Sequence, residues 1–119
     1  MTGSEQRVIL VDDSPDLRLL ITLAIEDSAQ GTVVAEADDG DTGLRLIQRL
    51  RPDVAIIDVH MPRMSGVELI RRLRVHGLTL RIIAHSNDED GLDAALAAGA
   101  DLAVMKTPNS SGLLTALAS

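Results

Sequence analysis

The chain has 119 residues, enough for one domain with one core, and 45% of them are apolar, which excludes a disordered segment. Eleven Lys and Arg stand against eighteen Asp and Glu, and a net charge of −7 argues against a domain that grips the nucleic-acid phosphate backbone. There is no cysteine, no Phe, Tyr or Trp and no run of membrane-spanning length, so disulfides, thiol chemistry and membrane insertion are excluded and the core must be aliphatic.

In chain order, Val8 to Val11 is a continuous apolar run ending in Asp12-Asp13, the pattern of a strand covered on both faces. Ser14-Pro15 supplies an N-cap and a first-turn proline, and Leu17, Leu20, Ile21, Ala24 and Ile25 follow at helical spacing until about Ser28. Gly31 breaks the chain before a β-branched strand over Thr32 to Ala37. The turn Asp38-Asp39-Gly40-Asp41 leads into a helix over roughly 41–50 that Pro52 stops. Val54 to Asp58 is the third strand, Ser65 caps a helix over roughly 66–75, and Gly77 closes it. Arg81 to Ser86 is the fourth strand, and Asp88 to Ala98 is an Ala-rich helix ended by Gly99. Ala100 to Met105 is the fifth strand, and Leu113 to Ala118 lies in a short last helix.

Five alternating βα units predict an α/β fold, a doubly wound parallel sheet with helices on both faces. No linker, repeat or low-complexity tract interrupts them, and the N-terminus lacks the charged and apolar stretches of a leader. The expectation is one cytoplasmic domain over 1–119, ordered over about 7–118, with no output domain attached.

Ligands of open parallel sheets bind outside the carboxyl ends of the strands. At those ends stand Asp12 and Asp13, Asp58, Ser86 and Lys106. Any one of them is explained by a strand meeting water; five together are not. Carboxylates about 4 Å apart repel by roughly 1 kcal/mol in water and nearer 4 kcal/mol at a protein surface, so the cluster calls for a cation. All-oxygen donors point to a hard ion, Mg²⁺ or Mn²⁺. Metal, lysine and hydroxyl together suit the equatorial oxygens of a phosphoryl group, and a carboxylate is a competent nucleophile toward one.

The segments "VILVDD" at 8–13, "VAIIDVHMPRMSG" at 54–66, "RIIAHS" at 81–86 and "GADLAVMK" at 99–106 resemble the receiver domain of two-component response regulators. The resemblance runs from about Arg7 to Ala118 and is closest in look to NarL/FixJ-type receivers. It implies the flavodoxin-like (CheY-like) fold with strand order 2-1-3-4-5. It also implies roles: Asp58 as phosphoacceptor, Asp12 and Asp13 with Asp58 holding Mg²⁺, and the backbone carbonyl of His60 as a further ligand. Ser86 is then the hydroxyl that swings to the phosphoryl group and Lys106 the lysine that pairs with it. The implied donor is a phosphohistidine on a sensor histidine kinase or phosphotransfer protein, and the implied chemistry is self-phosphorylation and self-dephosphorylation, without turnover of a separate small substrate.

Two features depart from that family. The aromatic residue usually found two or three positions before the lysine is replaced by Ala103 and Val104, and Lys106 is followed by Thr107-Pro108 rather than by proline directly. The acidic runs at 38–41 and 88–90 read as solvated turns and helix starts. His76 reads as surface, whereas His60 and His85 flank the pocket. His60 and Asp88, two places beyond Asp58 and Ser86, are positioned to tune phosphate lifetime. The last two helices carry no Lys or Arg. Their apolar faces read first as core and second as a homodimer or effector surface. Two rival readings are a pseudo-receiver that binds partners without phosphorylation and an aspartate-nucleophile phosphatase of the haloacid-dehalogenase type. The latter needs an acid where His60 stands.

Overall fold

Alternating apolar bursts and helical stretches fold into β1 (Gln6–Val11), α1 (Pro15–Ser28), β2 (Gly31–Ala37), α2 (Gly40–Leu50) and β3 (Val54–Asp58). They continue with α3 (Gly66–Val75), β4 (Arg81–Ser86), α4 (Glu89–Ala98), β5 (Leu102–Met105) and α5 (Ser111–Ala118). The computed structural model describes residues 5–119, so residues 1–4 of the expected domain lie outside the described ones. The five strands form one parallel sheet in the order β2-β1-β3-β4-β5. The chain therefore moves outward from β1 to β2, returns, and continues the other way from β3. The crevice where direction reverses opens at the carboxyl ends of β1 and β3.

Strand alternation divides the core into two layers. Val8, Leu10, Val54, Ile56 and Ile83 face α1 and α5, packing with Ile21, Ile25, Leu113 and Leu117. Ile9, Val11, Ala55, Ile57, Ile82 and Ala84 face α2, α3 and α4, packing with Ile47, Leu69, Leu73 and Ala95. The inner strands β1, β3 and β4 are buried on both faces, which is why they read as unbroken apolar runs. Edge strand β2 alternates instead.

Helix starts follow the cap chemistry visible in the sequence. Ser14 Oγ accepts from the Leu17 amide at 3.2 Å and Ser65 Oγ from the Glu68 amide at 3.2 Å. Asp39 and Asp88 do the same for α2 and α4. Asp39 stands at a helix start, as expected of its run, and besides capping α2 it pairs with Arg63 at 3.0 Å.

Two expectations change. Leu20 is 57% exposed, and with Leu19 and Leu23 it forms an outward apolar face on α1 rather than part of the core. The buried stripe of α1 is narrower than the helical spacing suggests, and Ile21 and Ile25 carry the burial. β5 begins at Leu102 rather than Ala100, because the Asp101 carboxylate accepts from the Ile82 amide at 2.8 Å and pairs with Arg74 at 2.9 Å. Of the last two helices, α5 buries Leu113, Ala116 and Leu117, whereas α4 leaves Leu96 45% exposed, and Met105 of β5 is 38% exposed. No described helix is long and apolar enough to cross a membrane.

Candidate functional site

The first carboxylates come from the end of β1. Asp12 is 4% exposed and Asp13 is exposed, as alternation across the strand end requires. Asp12 Oδ1 accepts from the Ser14 amide at 2.9 Å, which ties its position to the start of α1. Its carbonyl takes the Arg18 guanidinium at 2.6 Å, and Arg18 is held in turn by Glu36 at 2.8 Å.

Asp58 ends β3 and is 3% exposed. Beyond it the chain must leave the sheet without covering the carboxylate, and Gly66 makes that possible. A Cβ at position 66 would sit 2.0 Å from the Asp58 carbonyl oxygen, and the Gly66 amide donates to the Val59 carbonyl at 2.8 Å. The loop is clamped outside by Arg63 on Asp39 and by Met64, which lies where any side chain on Gly40 would go.

Lys106 follows β5, its amide donating to the Ser86 carbonyl at 2.8 Å and so extending the ladder by one rung. Its ammonium lies 3.2 Å from Asp58 Oδ1 and 3.7 Å from Asp12 Oδ2. Burial pushes the Asp58 carboxyl above the ordinary aspartate value and the neighbouring Asp12 charge adds to this, against the pull of Lys106. Asp12 is raised for the same leading reason, burial, with the Ser14 amide and Lys106 opposing. One ammonium between two buried carboxylates, with a third beside them, leaves excess negative charge.

That excess is a cation's opportunity. Oxygens of Asp12, Asp13 and Asp58 lie within 4.8 Å of one another, the one such cluster of metal-capable side chains among the described residues. All three donors are carboxylate oxygens at the mouth of a crevice, a set that fits a hard divalent ion such as Mg²⁺. No histidine joins the cluster.

Ser86 is fully buried at the end of β4, on the opposite face of the strand from His85. Its hydroxyl donates to Asp88 Oδ1 at 3.1 Å, and the Asp88 amide returns a bond at 3.3 Å, so it is parked on the α4 side of the sheet. Asp88 also meets His60 Nε2 at 3.2 Å, and that contact, followed by the Gly91 amide and the Ser86 hydroxyl, holds its carboxyl below the ordinary range. His60 and Asp88 thus form an exposed pair over the rim, and the His60 amide lies 3.3 Å from Asp58 Oδ1. His76 is exposed, as expected.

Sequence reasoning put His85 at the pocket but missed its condition. It is 2% exposed and pairs in register with Asp58, and neither ring nitrogen has a hydrogen-bond partner. Burial, reinforced by the Lys106 charge, pulls its basicity down from 6.5 to about 4. The available signal was a lone polar residue inside the apolar strand 81–86. Ala103 and Val104 flank β4 where the family's aromatic residue is absent. Ala103 lines a cleft of about 360 Å³ with Glu89, Leu92, Asp93 and Leu96. A second cleft, of about 290 Å³, lies between Arg51, Asp53 and Arg81 at the opposite edge of the sheet, away from these groups.

The family model for the response regulator receiver domain matches residues 8–118. The chain is 38% identical over 112 residues to the nitrate/nitrite response regulator protein NarL of Escherichia coli, covering 92% of this chain and 52% of that protein. It is 37% identical over 111 residues to a protein-glutamate methylesterase/protein-glutamine glutaminase of Myxococcus xanthus, covering 91% and 31% respectively. It thus spans about half or less of the length of these curated relatives. Among solved structures it is similar to a LuxR-family two-component response regulator from Aurantimonas, with a TM-score of 0.89 and 31% identity over 96% of this chain and 83% of that one. It is also similar to the response regulator domain of Thermotoga maritima CheB, with a TM-score of 0.83 and 27% identity over 95% and 93%.

Proposed function

The chain belongs to the response regulator receiver domain family, the domain of phosphorylation-dependent two-component signalling, and we propose that Asp58 is its phosphoacceptor. The observation that carries this reading is the buried Asp58 carboxylate, in reach of Lys106 and of two further acids at the sheet's switch point. Asp58 attacks the phosphorus of a phosphohistidine on a sensor kinase or phosphotransfer protein. A P–N bond breaks, an acyl phosphate forms, and the imidazole departs with a proton. Lys106 then shifts from the carboxylates to the phosphoryl oxygens, and Ser86 exchanges Asp88 for the phosphoryl group.

Asp12, Asp13 and Asp58, with the His60 carbonyl, are the residues that would hold Mg²⁺. Bound there, the ion would supply the positive charge that two buried carboxylates and a phosphoryl group require. The His60–Asp88 pair stands at the rim next to Asp58, and its removal is expected to change the lifetime of the phosphorylated state. Leu96 and Met105 on the α4–β5 side offer the surface for an effector or a second copy, since the leucines of α5 are used in the core. The domain works in the cytoplasm, where phosphohistidine donors and Mg²⁺ are at hand, and it does not itself contact nucleic acid.

Incubation with Mg²⁺ and acetyl phosphate tests the reading. Intact mass should rise by one phosphoryl group in the parent and stay unchanged in Asp58→Asn. No gain in the parent, or an equal gain in the variant, would sink it.

A further inference from the structure

A buried imidazole with two unpaired nitrogens is a cost without a visible return, because an apolar residue would fit a strand that already contains Ile82, Ile83 and Ala84. The geometry around it supplies the return. β4 lies between β3 and β5, and neighbouring strands are about 4.8 Å apart. Lys106 follows β5, yet its ammonium is 3.2 Å from Asp58 at the end of β3. Its stem therefore crosses β4 on the α1/α5 face. The β4 residue of that face level with Asp58 is His85, for Ile83 two places earlier packs with Leu113 and Leu117, and Ser86 faces the other way.

An ammonium carries three N–H donors and no acceptor. In this structure Asp12 and Asp58 face it. Once those carboxylates are engaged by a cation and a phosphoryl group, Lys106, its side chain 19% exposed, keeps the phosphoryl oxygens and has an N–H left for a further acceptor. We propose that His85 is a positioning residue for Lys106: its ring floors the lysine stem, and a ring nitrogen accepts from the ammonium when the carboxylates are taken. This rests on the roles given above to Asp58 and Lys106. It gives the chain's one buried histidine a use that neither core packing nor the rim pair supplies.

The test combines a spectroscopic signature with a double-variant cycle in the full chain. His60 and His76 are exposed, so the His85 ring ¹⁵N signals stand apart from those of the other two histidines. Addition of Mg²⁺ and acetyl phosphate is expected to move one His85 ring nitrogen in the parent and to leave it in place in Lys106→Gln. His85→Leu removes two unpaired polar atoms, so it should melt no lower than the parent, yet take up phosphate from acetyl phosphate about tenfold more slowly. In the Lys106→Gln background the same change should add nothing, whereas a merely structural role would slow both backgrounds alike. His85→Gln, which keeps an acceptor, should recover most of the rate. Parental rates in His85→Leu, multiplying effects in the double variant, failure of His85→Gln to exceed His85→Leu, or unmoved ring signals would each overturn the proposal. A parent that gains no phosphoryl group overturns the reading of Asp58 and this one with it. A phosphorylated parent with multiplying effects overturns this one alone.

Discussion

Acidification should weaken this fold through His85, and the size of the effect follows from its burial. In the unfolded chain the imidazole takes a proton near 6.5, but in the fold only near about 4, because burial and then Lys106 disfavour the charged form. Between those limits the unfolded chain binds more protons, so stability must fall as pH falls. The full difference is worth about 3 kcal/mol, of which about 2 kcal/mol is lost by pH 5 and almost none at pH 7.5. Asp12 and Asp58 act in the opposite sense. Their carboxyls are raised by burial, so their ionisation costs stability as pH rises through the folded values and protonation in acid returns it. Both terms are shared by the parent and His85→Leu, so the difference between the two proteins isolates the histidine. Urea unfolding followed by far-ultraviolet circular dichroism, in chelator at pH 7.5, 6 and 5, gives that difference directly. The parent should lose about 2 kcal/mol relative to His85→Leu over this range. A gap that stays constant within about 0.5 kcal/mol would refute the burial argument.

Three other outcomes are expected. Gly66→Ala should destabilise by more than about 3 kcal/mol, since its methyl meets backbone rather than a flexible side chain, and the urea midpoint reads this directly. Lys106→Met strands two buried carboxylates and should cost about 3 kcal/mol at neutral pH, with Mg²⁺ raising its melting temperature more than the parent's; an unchanged melting temperature in chelator would count against the ion pair. Ala103→Tyr places the chain's only aromatic ring at the cleft of about 360 Å³ on the same sheet face as Ser86. Its fluorescence should respond to acetyl phosphate with Mg²⁺ in the parent background and not in Asp58→Asn.

The alternation of apolar runs and helical stripes determined the element order and the parallel sheet, because strands buried on two faces read as near-continuous apolar runs, and the resemblance to receiver domains implied the strand order. The same runs, by ending in Asp12, Asp58, Ser86 and Lys106, made the site legible, since strand ends of a doubly wound sheet share one edge. Cap residues such as Ser14 and Ser65 act within four residues and were readable for that reason. What the sequence left open depends on neighbours distant along the chain. Leu20 looks like core by spacing, but only the width of the layer between α1 and the sheet decides that it is outside. Gly66 is a loop glycine until the Asp58 carbonyl is seen 2.0 Å from its missing Cβ. His85 is one polar letter in an apolar strand until the lysine from β5 is seen reaching across it to Asp58. Periodicity reports which side of an element is buried, and only the packed fold reports against what.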